Sequence, residues 1–139
     1  MFAQYMYPHL KTKVFPIQSL YDLVGITAVV GADCIQGHSL QSCTPDQRNH
    51  IEDYKNNVIN FLGQIAGNPA NGFWAIACVE HELTTGIFYS HNYEIPMRSG
   101  STADIGLNGW VLKKPIGHVY IDTVAWPGNQ PCANWSKHK

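Results

Sequence analysis

The chain has 139 residues, 45% of them apolar and only 14% charged, with a formal net charge of -1. That length suffices for one domain with a real core, and a charged fraction below the usual quarter or so points to a well-buried sheet or to a piece of a larger body. Without a basic block there is no footprint for phosphate neutralisation, so nucleic acid is not an expected partner. Without a run of about 18 apolar residues, no membrane span is expected either.

Residues 1–13 are a polar-aromatic lead-in broken by Pro8. Residues 14–20 read as a buried strand that delivers Asp22 to a loop. From Leu23 to Gln41 the mixed apolar residues and three glycines predict a loop with a short helical or extended piece. Thr44-Pro45-Asp46-Gln47 then opens the clearest helix: Thr44 and Gln47 can cap each other, and Pro45 sits where its missing N–H costs nothing. Ile51, Tyr54, Val58, Phe61, Leu62 and Ile65 share one helical face, with Glu52, Lys55, Asn56 and Asn60 on the other side. Gly67-Asn68-Pro69 stops it.

Asn71-Gly72 turns the chain into a second strand, Phe73 to Val79, apolar on both faces as an interior strand should be. It delivers His81 to a loop. Ser99-Gly100-Ser101 introduces another helix, with Ala103, Ile105, Leu107, Trp110 and Val111 as its apolar residues and with Gly106 and Gly109 weakening it. Residues 118–122 are a last strand. The order strand, helix, strand, helix, strand predicts an α/β fold with a mostly parallel sheet and flanking helices.

Ligand chemistry in such sheets gathers at the carboxyl ends of the strands. Asp22 and His81 both fall there, and a strand–helix–strand unit sets its two strands side by side or nearly so. An acid followed by a histidine is the second half of a serine-hydrolase triad in the order nucleophile, acid, base. Asp22 would fix the tautomer of His81, leaving the other ring nitrogen to accept a proton from an alcohol or water. The alternative is a core histidine bonded to backbone. No serine completes the set: Ser19, Ser39, Ser42, Ser90, Ser99, Ser101 and Ser136 all lack the Gly-x-Ser-x-Gly turn that exposes a nucleophile, and Ser101 is better explained as a helix cap. Cys78, inside the second strand, is no better placed. Tyr21, Trp74 and Trp110 read as core rather than as a carbohydrate platform.

His81-Glu82-Leu83-Thr84-Thr85 begins like the zinc motif His-Glu-x-x-His, but Thr85 stands where the second imidazole is needed. No metal or organic cofactor is expected. Four cysteines without a Cys-x-x-Cys fit two disulfides in an oxidising compartment, Cys34 with Cys43 and Cys78 with Cys132. The alternative is four buried thiols in a cytosolic protein. Asn134-Trp135-Ser136 is a glycosylation sequon that adds little. The N-terminal residues lack the basic start and apolar centre of a signal peptide, which agrees with secretion only if the chain is one part of a longer precursor.

Four segments resemble the C-terminal half of the pectin acetylesterase/Notum family of α/β-hydrolase-like esterases. Phe15-Pro16-Ile17-Gln18-Ser19-Leu20-Tyr21-Asp22 is similar to the family's acid segment, and Ile51-Glu52-Asp53-Tyr54-Lys55-Asn56-Asn57-Val58 to the helix after it. Asn71-Gly72-Phe73-Trp74-Ala75-Ile76-Ala77-Cys78-Val79-Glu80-His81 is similar to the histidine segment. Tyr93-Glu94-Ile95-Pro96-Met97 with Ser99-Gly100, then Tyr120-Ile121-Asp122 with Trp126-Pro127, are similar to the closing elements. Together they cover residues 14–133 of a single partial domain, 1–139.

The resemblance implies a secreted carboxylesterase that removes acetyl groups from pectin or a fatty acyl group from a lipidated protein, with acetyl removal favoured. It implies Asp22 as triad acid, His81 as triad base, and Val24 and Leu83 as acyl-pocket walls. The family's nucleophile and oxyanion hole lie in a half this sequence lacks. The expected partner is therefore an N-terminal half carrying the serine, in cis or in trans. Two rivals stand beside this reading. One is a non-catalytic remnant serving as a structural subunit of a larger assembly; the other is a small secreted binding domain held by two disulfides.

Overall fold

The computed structural model describes residues 3–86, 88, 93–95, 101–114, 118–126 and 128. Its centre is a three-stranded parallel sheet in the order β1-β2-β3, formed by β1 (Ile17–Ser19), β2 (Phe73–Ile76) and β3 (Val119–Ile121). Ile17 lies opposite Trp74, and Trp74 opposite Tyr120. The five described α-helices are α1 (Ala3–Met6), α2 (Leu23–Gly25), α3 (Pro45–Ala66), α4 (Leu83–Gly86) and α5 (Ala103–Val111). A 3-10 turn, Tyr7–His9, follows α1, and a π-helical turn, Ile26–Val30, follows α2. The fold is thus α/β with a parallel sheet.

β2 divides the core because successive side chains of an extended segment point to opposite faces. Phe73, Ala75, Ala77 and Val79 face Leu20, Tyr21, Ile26, Ile51, Leu62 and Ile65 on the α3 side. Trp74, Ile76 and Cys78 face Leu83, Tyr93, Ile95 and Ala103 on the α5 side. Ladder pairing stops at Ile76, yet the alternation runs to Val79. Side chains supply the next bonds: Ser19 Oγ donates to the carbonyl of Cys78, and the Ala77 N–H donates to Asp122 Oδ2 at 3.3 Å. This is why β2 ends before the Val79 expected from sequence; β1 and β3 are likewise shorter than the expected 14–20 and 118–122, though Val14, Pro16, Leu20, His118 and Asp122 keep backbone bonds across the sheet.

Both halves of the Thr44 capping box are present. Gln47 N–H donates to Thr44 Oγ1 at 3.2 Å, and Thr44 N–H to Gln47 Oε1 at 3.0 Å. Ile51, Leu62 and Ile65 are buried as the helical spacing demands. Lys55 is a correction. It was expected on the polar side but is 8% exposed, its ammonium bonded to Glu52 Oε2 at 3.0 Å and 5.5 Å from the centre of the Tyr21 ring. A long aliphatic stem can lie on apolar surface while its charged head finds a partner.

A second correction concerns α5. Its buried residues are Ala103, Gly106 and Gly109, while Ile105 and Val111 are exposed. A β-carbon on Gly106 would stand 3.0 Å from the Tyr120 ring, so the glycine face is what lets the helix approach the sheet. The N-cap position is Thr102, which has no side-chain capping bond, rather than Ser101.

Candidate active site

Asp22 and His81 are brought together past the carboxyl ends of β1 and β2. Leu20 and Tyr21 after β1 are fully buried, so Asp22 is where the chain emerges from the core. It is the N-cap of α2: its Oδ1 accepts the Gly25 N–H at 2.7 Å, and its carbonyl accepts the Ile26 N–H at 2.8 Å. His81 lies five residues beyond β2, where the buried alternation ends at Val79. Its Nδ1 is 3.2 Å from Asp22 Oδ1 and 3.0 Å from Oδ2.

Exposure differs sharply within the pair. The Asp22 side chain keeps 14% of its surface and that of His81 keeps 52%. With Nδ1–H donating to the carboxylate, Nε2 is the accepting nitrogen, the arrangement a general base needs. Among the described residues no hydrogen-bond partner occupies Nε2.

Asp22 is also held from below. Tyr54, on α3, puts its phenol where a β-carbon on Gly25 would be. Burial, and then the charge of Asp22, push that phenol up to about 12. Tyr21, immediately before Asp22, donates its hydroxyl to Glu52 Oε1 at 2.5 Å and accepts the Trp126 N–H at 3.1 Å. Burial, followed by the bond to Glu52, raises its phenol well above the ordinary range. The carboxylate therefore stands on a segment flanked by Tyr54 of α3 and by Tyr21, which is bonded to Glu52 of the same helix.

Val24 and Leu83 are not brought together. Val24 is exposed on α2, two residues from Asp22, whereas Leu83 is 5% exposed and packs with Trp74 and Ile76 on the α5 side of the sheet. Ser19 is buried and bonded to the Cys78 carbonyl and the Tyr21 N–H. Tyr21 and Trp74 are fully buried, and Trp110 packs on Phe15 with ring centres 5.4 Å apart. All three belong to the packing rather than to an open platform.

The structure adds a second imidazole–carboxylate pair that sequence reasoning missed. His38 Nδ1 donates to the Val79 carbonyl at 2.6 Å and lies 3.5 Å from Glu80 Oε2. His38 sits inside the loop closed by the Cys34–Cys43 disulfide, the pairing expected from sequence. Cys78 is disulfide-bonded as well; the expected partner, Cys132, lies outside the described residues, as do Ser90, Ser99, Ser136 and the sequon.

Among the described residues no group of three His, Cys, Asp or Glu side chains can hold a metal ion, and no helix is long and apolar enough to cross a membrane. A recess of ≈ 360 Å³ is lined by Tyr7, Lys11, Lys13, Asn68 and Asn71 among others. These residues precede β1 and β2, so it opens at the opposite end of the sheet from Asp22 and His81.

The family model for pectinacetylesterases matches residues 1–133, the lead-in segment included. No curated protein and no solved structure matches the chain. By that match over nearly its whole length, the chain belongs to the pectinacetylesterase family, whose chemistry is the hydrolysis of carboxylic esters.

Proposed function

We propose that the chain supplies the acid and base of a Ser-His-Asp triad for carboxylic ester hydrolysis, and that the serine and oxyanion donors come from polypeptide outside these residues, in cis or in trans. The observation that carries this is the Asp22–His81 contact at 3.0–3.2 Å beside a half-exposed ring. In this reading residues 1–139 are part of an α/β-hydrolase-like domain. β1 has β2 on one side only among the described strands, which supports a sheet continued by further strands.

In the reaction His81 Nε2 takes the proton of the serine hydroxyl as its oxygen attacks the ester carbonyl. Asp22 holds the ring in the tautomer with Nδ1–H and stabilises the imidazolium that forms. The proton then passes to the leaving alcohol, and a water activated by the same nitrogen releases the acyl group from the serine. Oxyanion donors usually supply the largest electrostatic term, so His81 and Asp22 alone give weak general-base catalysis at most. The substrate class favoured by the family is an acetylated pectin, with an acylated protein as the alternative. Val24, exposed beside Asp22, is positioned to meet the acyl group; Leu83 acts by supporting the loop from the core. Two disulfide-bonded cysteine sites, at Cys34–Cys43 and Cys78, support an extracellular or secretory location.

The test is release of acetate from acetylated pectin by the isolated chain and by the protein that includes the serine-bearing segment. Only the latter should turn over at useful rates, with His81→Ala and Asp22→Asn each lowering kcat by at least about a hundredfold. Efficient hydrolysis by the isolated chain, lost in His81→Ala, would refute the missing nucleophile. A complete protein indifferent to both substitutions would instead leave the fold as a structural subunit.

A further inference from the structure

We propose that Glu80 is a positioning residue for His81, with His38 beside it holding the carbonyl of Val79. This rests on the reading of His81 as the proton-transferring group. His81 lies past the end of the β ladder, on a loop whose ring must nevertheless meet Asp22 within a few tenths of an ångström. One carboxylate holds that loop. Glu80 Oε1 accepts the N–H of His81 at 2.9 Å and the N–H of Glu82 at 3.4 Å.

The other oxygen, Oε2, faces His38 Nδ1 at 3.5 Å, and the same ring nitrogen donates to the Val79 carbonyl at 2.6 Å. Glu80 thus ties His81 and Glu82, and His38 ties Val79, the two side chains standing 3.5 Å apart. Glu80 is largely sequestered, with 14% of its side chain exposed, while the His81 and Glu82 backbone groups that donate to it are exposed. Its charge also reaches Tyr93, where, after burial, it helps push the phenol up to about 12.

His38 has its own support. The Cys34–Cys43 bridge closes its loop, and Gln36 and Ser39 exchange backbone bonds of 3.3 and 3.1 Å across it. From the other side, Leu23 N–H donates to the Glu80 carbonyl at 3.4 Å, linking the turn after Asp22 to the histidine loop. Asp22 orients the ring directly; Glu80 orients the backbone from which the ring projects. No part of this assignment requires Glu80 to touch substrate.

The inference is tested by nitrogen NMR of the His81 ring in the purified chain, which needs no esterase activity, and by kinetics of the protein that includes the serine-bearing segment. Asp22→Asn identifies the Nδ1–H signal that depends on the carboxylate. Glu80→Ala should shift that signal most of the way to its Asp22→Asn position and lower kcat about tenfold or more with KM within about twofold. His38→Ala should move the signal in the same direction by less. Glu80→Gln retains an oxygen for both backbone N–H groups and should restore the signal and bring kcat to within about threefold of the parent. A general folding defect would not be rescued so selectively. An unmoved His81 signal in Glu80→Ala, or a Glu80→Gln variant as impaired as Glu80→Ala, overturns the assignment. Loss of the esterase reading would be seen separately, as kinetics insensitive to His81→Ala.

Discussion

The phenol oxygen of Tyr54 lies 2.0 Å from the position a β-carbon on Gly25 would occupy. Gly25 also donates its N–H to Asp22, so a packing contact from α3 and the orientation of the acid meet at one residue that has no side chain.

Gly25→Ala should therefore destabilise the chain by about 2 kcal/mol, the usual size of an overpacking defect. It should also weaken the Asp22–His81 contact. Tyr54→Leu removes the obstructing ring tip, so the double variant should lose less than the sum of the singles. Urea denaturation of the four proteins measures the coupling; strict additivity would contradict the contact.

Alkaline pH should unfold the protein earlier than its carboxylates and histidines would suggest. Burial raises Tyr54 and Tyr93 from the ordinary 10.0 to about 12, and raises Tyr21 further. A phenol whose folded value is raised contributes stability that is whole below the unfolded value near 10 and is lost as pH climbs through the folded value. Melting temperature should fall between about pH 10 and pH 12, and Tyr54→Phe should flatten part of that slope. Phenolate absorbance gives the ionisation directly; buried tyrosines ionising with the exposed ones, near pH 10, would contradict the account.

The loop closed by Cys34 and Cys43 spans a sequence separation of 9. By loop-closure entropy its removal should cost about 2.5 kcal/mol. Cys34→Ser with Cys43→Ser, followed by urea denaturation, gives that figure. The same variant should also free His38 from its preset loop, so the His81 ring signal should broaden or shift while the α3 core stays folded.

Much of the frame was legible because its signals are local. The capping box, Pro45 and the spacing of Ile51, Leu62 and Ile65 all lie within a few turns of one helix, and α3 formed as they dictate. The meeting of Asp22 with His81 followed from topology, since a helical crossover sets parallel strands adjacent and both residues follow their strands. The roles of Glu80 and His38, and the approach of Tyr54 to Gly25, were not legible. His38 acts on a carbonyl 41 positions away, and nothing in the spacing of residues encodes that distance. Lys55 misled because charge at a helix position predicts solvent unless a partner such as Glu52 is known to wait. The glycines of α5 misled because they were weighed by propensity, whereas the sheet needed their missing side chains.

The relay by which Ser19 and Asp122 take over from backbone partners after Ile76 has a kinetic reading. The amide proton of Ala77 sits outside every regular element, yet it is shielded and bound to a carboxylate. It should exchange with deuterium as slowly as those within β2, whereas the amides of the exposed His81 and Glu82 open to solvent far sooner. The frontier between rigid scaffold and working loop would thus be drawn by a carboxylate contributed from just past the end of the neighbouring strand, β3.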